Sequence, residues 1–168
     1  MPMIGLLPPL NDKNLPWLDV IHPIVVHFVI AMALITVVFD LIGVITKRRN
    51  LFEVSFWNLV VATVAIFVAI IFGQIEAGLA TPYGASRDLL NYHSTLGWSL
   101  AAILSLLTGW RYVARQKDPT ALPRGFLIID SILAGLVFCQ VYLGDKLVWV
   151  YGLHTVPVVE AVRSGALS

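Results

Sequence analysis

The sequence predicts an all-α membrane protein, a four-transmembrane-helix up-down-up-down bundle with both termini on the periplasmic or lumenal side. Three observations predict it. The chain is 58% hydrophobic and only 12% charged over 168 residues, whereas an ordinary soluble domain is about 45–50% apolar and about 25% charged. Its apolar residues form four runs, at about 23–46, 55–78, 92–113 and 126–150, each near the ~20 residues that a bilayer core demands. Lys47, Arg48, Arg49, Arg111, Arg115, Lys117 and Arg124, seven of the eleven Lys and Arg, lie around two of the three connections, which marks those connections as cytoplasmic.

Residues 1–21 read as a short N-terminal tail able to lie along the membrane surface. Their first ten, MPMIGLLPPL, carry prolines but no basic n-region and no small-residue cleavage site, which argues against a signal peptide. Pro23 suits the first position of a helix and pushes His22 out of the helical region, so the first span is expected to start there. Thr81-Pro82-Tyr83-Gly84 marks a turn within the loop 79–91 after the second span. Asp118-Pro119 and Pro123-Arg124-Gly125 mark the turn before the fourth. Short connections make neighbouring helices antiparallel. The transmembrane domain is expected over 22–154, with 155–168 as a C-terminal tail. Trp57, Trp98, Trp110, Trp149 and Tyr151 stand near span ends, where interfacial aromatics anchor.

A net charge of +1 provides no electrostatic footprint for nucleic acid. The single cysteine, Cys139, excludes an internal disulfide and a C-x-x-C-H haem attachment. Asp40 and Asp130 are expected to pair with the basic residues nearest in sequence, Lys47 and Arg124, by snorkelling toward the cytoplasmic face. Cys139 and Gln140, near mid-depth of the fourth span, read as packing or interhelical hydrogen-bonding groups. Each half of the chain is a hairpin whose first helix opens on a histidine, a weak internal repeat of a kind known in membrane proteins.

The four histidines carry the functional signal. With this topology His22 and His27 open helix 1, His93 opens helix 3 and His154 follows helix 4, so all four fall at one face of the membrane, level with Gly73, Gln74 and Glu76. His22 and His27 are five residues apart, about 140° around the helix with about 7.5 Å of rise. They cannot chelate one ion as an i, i+4 pair would. Helices 1 and 3 lie on a diagonal of an up-down bundle, about 13 Å apart, a separation suited to two imidazoles reaching one iron from opposite sides. His27 and His93 are therefore the expected axial ligands of a bis-histidine haem b, with His22 and His154 as the pair for a second haem. A bare zinc or copper ion would want three or four ligands drawn close, and no thiolate lies near the histidines. Arg87, beside Asn91 and Tyr92, has the fork that holds carboxylates and is assigned to the haem propionates. Glu76 is expected behind a ligating imidazole as an acceptor for its second N–H.

Small residues recur at i, i+4 spacing in helix 2 (Ala65, Ala69, Gly73, Ala77) and helix 3 (Gly97, Ala101, Ser105, Gly109). Such ladders pack helices closely in lipid. Near His93, and at Ala31 after His27, the same residues would also give a flat macrocycle clearance.

HPIVVHF (22–28), GQIEAG (73–78), HSTLGW (93–98) and LVWVYGLH (147–154) together resemble the family of four-helix predicted membrane proteins called domain of unknown function 2231, over about residues 17–157. Members typically have proline after the phenylalanine, where Val29 stands here. The resemblance implies the fold and the four histidines as a set; it implies no cofactor. The function expected from the residues is a small cytochrome b-like subunit of an integral, multi-pass kind in a bacterial inner or thylakoid-type membrane. It would transfer electrons within a larger respiratory or photosynthetic complex, or as a homo-oligomer, rather than catalyse by itself. The alternative is a non-redox structural or assembly subunit, with or without chlorophyll held by single histidines. A transporter is disfavoured, because no broken mid-membrane helix or central charged site marks a pathway.

Overall fold

The computed structural model describes residues 17–167, so most of the N-terminal tail lies outside the described residues. The chain is all-α, with no strand among the described residues: α1 spans Trp17–Thr46, α2 Asn50–Leu79, α3 Gly84–Lys117, α4 Phe126–Asp145 and α5 Val156–Arg163. The last turn of α4 runs on over Lys146–Val150 with wider, π-helical hydrogen bonding. Three segments, α1, α2 and α4 with its extension, are long and apolar enough to cross a membrane. α3 falls short of that apolarity because Ser, Thr, Gly and His interrupt its leucines.

α1 packs on α2 and α4, and α3 packs on the same two, while among the described residues the backbones of α1 and α3 nowhere approach within 8 Å. The four long helices thus form a ring with α1 and α3 across from each other. Leu59, Leu104, Leu133 and Phe126 fill its centre, with Ala33, Ala62 and Ala101 letting the backbones approach. Leu106, Ile128 and Phe138 face outward, as residues bathed in lipid tails do.

Two helices begin earlier than the sequence suggested. α1 starts at Trp17, and Pro23 lies inside it. A proline within a helix removes its own hydrogen bond to the carbonyl four residues back and its ring crowds that carbonyl. Here, packing of the His22 ring against α2 holds the residue before it helical. α3 starts at Gly84, so most of the expected loop 79–91 is helix. Its turn is confined to residues 80–83, where the Tyr83 N–H donates to Ser86 Oγ at 2.8 Å and the Ser86 hydroxyl returns a bond to Tyr83 O at 2.6 Å. Leu89 and Leu90 of this added stretch pack with Leu147 and Leu153, leaving Arg87, Asp88 and Asn91 on the outer face. The expected C-terminal tail likewise contains α5, whose Val159 is buried.

The expected partners of the two acidic residues are also corrected. Asp40 is fully buried and pairs not with Lys47 but with Arg111 of α3, whose Nη1 and Nη2 donate to its two oxygens at 2.6 and 2.9 Å. Nη2 also donates to Phe52 O and Ser55 Oγ, both at 2.8 Å, and the Ser55 hydroxyl donates to Asp40. Because α3 continues to Lys117, Arg111 sits more than a turn inside the helix end, where it is buried. Asp130 is fully buried too, and neither carboxylate oxygen has a hydrogen-bond partner among the described residues.

Candidate functional site

At the opposite end of the ring, where α1 begins and α2 ends, the helices part around a cavity of about 480 Å³. All four histidines line it, joined by Glu76 from α2 and Gln140 from α4; the remaining wall is mainly apolar, with Ile66, Leu100 and Val137 at its inner part. Among the described residues no Lys or Arg lines it.

Each imidazole is held differently. His22 lies against α2, where Gly73 leaves the room: a Cβ on that glycine would come within 2.9 Å of the ring. Its Nδ1–H donates to Ala69 O at 2.7 Å, which leaves Nε2 as a lone pair, 3.8 Å from Glu76 Oε2. His27 is exposed on the outer side of the cavity, with Nδ1–H donating to Pro23 O at 2.5 Å and Nε2 again left as the free nitrogen. His93 is partly buried between α3 and α4. The Gln140 amide donates to its Nε2 at 3.1 Å and to its backbone carbonyl at 3.0 Å, while its Nδ1 is buried with no partner among the described residues. Gly144 makes this possible, since a Cβ there would approach the His93 ring at 3.2 Å.

His154 sits in the turn after α4 with φ of +70°, a left-handed conformation that costs a non-glycine residue about 1–3 kcal/mol. The turn aims its ring between two carboxylates, with Nδ1 3.5 Å from Asp19 Oδ1 and Nε2 3.5 Å from Glu76 Oε1. A hydrogen bond from the Tyr83 hydroxyl to Tyr151 O, at 2.8 Å, ties this turn to the α2–α3 connection.

The structure therefore gathers the four histidines and Glu76 around one space and leaves Arg87 apart. Arg87 is exposed, donates from Nε to Pro82 O at 3.0 Å and does not line the cavity. It lies on the outer face because the stretch around it is helical and turns Leu89 and Leu90 inward instead. His22 and His154 do not face each other across an empty slot. Their Nε2 atoms address different oxygens of the Glu76 carboxylate.

Two residues went unread as site members. Asp19 fell in the presumed tail, although Asp-x-x-His places it one turn before His22 on the same helical face. Gln140 read as a packing or interhelical hydrogen-bonding group, and it does bond across to α3, but nothing in its local sequence marks it as the partner of His93.

A family described as predicted membrane protein, domain of unknown function 2231, matches residues 19–157, and the chain belongs to that family. No curated protein and no solved structure shows a significant match to the chain.

Proposed function

We propose that this member of the family is a cytochrome b-like membrane subunit that holds one haem b in the histidine cavity, with His27 and His93 as axial ligands. In this reading it passes electrons within a larger respiratory or photosynthetic complex or homo-oligomer and is not a catalyst by itself. One observation carries the reading: every histidine of the chain converges on a single, mostly apolar cavity. Its volume of about 480 Å³ falls within the ~300–1,000 Å³ of ligand and cofactor pockets.

The donor set suits the group. His27 and His93 come from helices on opposite sides of the ring. The Nδ1–H bond of His27 to a backbone carbonyl is the kind that orients a ligating imidazole and fixes its free nitrogen. His93 accepts the Gln140 amide at Nε2, so its unpartnered Nδ1 carries the proton and ligation through Nε2 would take the place of the amide bond. When bound, haem supplies a one-electron couple tuned by its axial ligands and surroundings. A second haem between His22 and His154 would have to displace the Glu76 carboxylate, so the arrangement supports one.

In the same reading α3 is the fourth crossing. Two of its mid-helix hydroxyls are satisfied inside the bundle, Ser105 donating to Ala101 O at 2.7 Å and Thr108 bonded to Thr63 Oγ1 at 2.7 Å, which helps a polar helix sit in lipid. Both termini and the cavity then face the periplasm or lumen.

A specific observation favours one competitor. With no Lys or Arg on the cavity wall, haem propionates find no cation there, whereas a chlorophyll held by a single imidazole needs none. The spectra of variants separate the two. His27→Ala or His93→Ala should abolish the low-spin reduced α-band or leave a five-coordinate, high-spin species, while His22→Ala and His154→Ala should spare it. A pigment extracted as a magnesium chlorin would transfer the proposal to chlorophyll.

A further inference from the structure

We propose that Asp19, Glu76 and His154, with His22 beside them, form a binding site for a divalent first-row transition-metal ion of the zinc class. The site lies where the first turn of α1, the last turn of α2 and the turn after α4 meet. One ligand atom from each of Asp19, Glu76 and His154 lies within 4.8 Å of the others. The two imidazole–carboxylate separations, both 3.5 Å, exceed the ~2.7–3.2 Å of an N–H···O bond. Either one matches the ligand-to-ligand edge of about 3.3–3.5 Å set by metal bonds of ~2.0–2.1 Å in a tetrahedron; a single ring nitrogen of His154 would bind the ion, with the farther carboxylate still within 4.8 Å.

Two further observations point to a cation rather than to an ion pair. Asp19 is only 6% exposed, and its Oδ1, aimed at His154, has no hydrogen-bond partner among the described residues; nor has the buried Nδ1 of His154. An ionised oxygen placed in that way is costly unless a charge meets it. Beside it, His22 has donated its one N–H to Ala69, so its Nε2 lone pair faces the Glu76 carboxylate, acceptor against acceptor, at 3.8 Å. An ion between them satisfies both. Two carboxylates balance a charge of +2, and imidazole with carboxylate oxygen, without thiolate, is a donor set suited to zinc and its divalent neighbours.

This site shares neither proposed ligand with the haem and stands or falls separately from it. The test uses the full-length protein in detergent, stripped with chelator and titrated with Zn²⁺ alone, followed by calorimetry and by thermal unfolding. The wild type should bind one Zn²⁺ per chain and melt at a higher temperature with it, since an ion that binds only the folded state stabilises it. Asp19→Asn, Glu76→Gln and His154→Ala should each weaken binding by at least ~10–100-fold, the loss seen even for groups one shell further out, while Cys139→Ser, at an exposed position outside the cavity, leaves it unchanged. Circular dichroism checks that each variant is folded. Stoichiometric binding that survives all three replacements would overturn the assignment. So would a wild type that takes up no ion and shows no zinc-dependent rise in melting temperature, a result independent of whether any variant folds.

Discussion

At one end of the bundle Arg111 uses its guanidinium on both oxygens of Asp40, the Phe52 carbonyl and the Ser55 hydroxyl, and its face is covered by the Phe126 ring at 4.7 Å. At the other end Asp19, His93 and His154 each keep a buried polar atom without a hydrogen-bond partner among the described residues, and the two histidines line a cavity. Both ends bury charge or potential charge in an apolar setting. The first does so with matched donors and acceptors and no space left, which is how a structural polar cluster is made tolerable. The second has an excess of acceptors and room for something to meet them. The contrast teaches that in a chain this apolar the number of buried polar groups says little, whereas their state of satisfaction separates scaffold from site. Asp130, fully buried, and Asn58, through its Nδ2, are exceptions at the closed end, with no hydrogen-bond partner among the described residues.

The sharpest way to break this comparison is to ask whether the two ends lie on opposite sides of the membrane. In a Cys139→Ser background, Ala85→Cys should be labelled by an impermeant reagent only from the periplasmic or lumenal side, and Arg48→Cys only from the cytoplasm. Labelling of both from one side would place the ends together. The next largest effect concerns the closed end. Arg111→Ala leaves Asp40 buried without its partner and should cost about 3–5 kcal/mol, measured by denaturant unfolding in detergent. The double replacement Asp40→Leu with Arg111→Met should recover much of that loss, because the unpaired charge is then gone. No recovery would mean that the cluster contributes through something other than its charges.

The smallest effect lies outside the spans. Asp118, in the exposed connection before α4, accepts bonds from the Thr120 hydroxyl at 2.7 Å and from the Thr120 N–H at 2.9 Å. These bonds, the hydroxyl's first, hold its carboxyl below the usual range. Since the folded value is the lower one, the stability it contributes is present above the unfolded value of about 3.9 and is lost as the pH falls through the folded value. Asp118→Ala should therefore flatten the acid limb of the melting temperature slightly and leave the neutral range almost unmoved.

The long apolar runs were legible because a bilayer-crossing helix needs little more than length and hydrophobicity. The starts of α1 and α3 were not. Pro23 has the form of an N-terminal signal, and the polar residues 84–91 have the form of a loop, but leucines 89 and 90 had a surface to cover. Arg111 resembled a loop cation for the same reason, until α3 proved to continue beyond it. Of the site, the four histidines and Glu76 could be read from the polar residues clustered at one end of the runs. Asp19 and Gln140 could not, because their roles depend on how neighbouring helices rotate, which periodicity alone leaves open.

The central claim is that the open end holds haem. Its most direct test is the absorption spectrum of the wild-type protein purified from its native membrane, oxidised and then reduced, with pyridine haemochrome analysis of the same sample. One b-type haem per chain with a low-spin reduced α-band is expected, as two imidazole ligands produce. A protein that carries no haem would contradict it, and would leave the histidine end to chlorophyll or to a purely structural role.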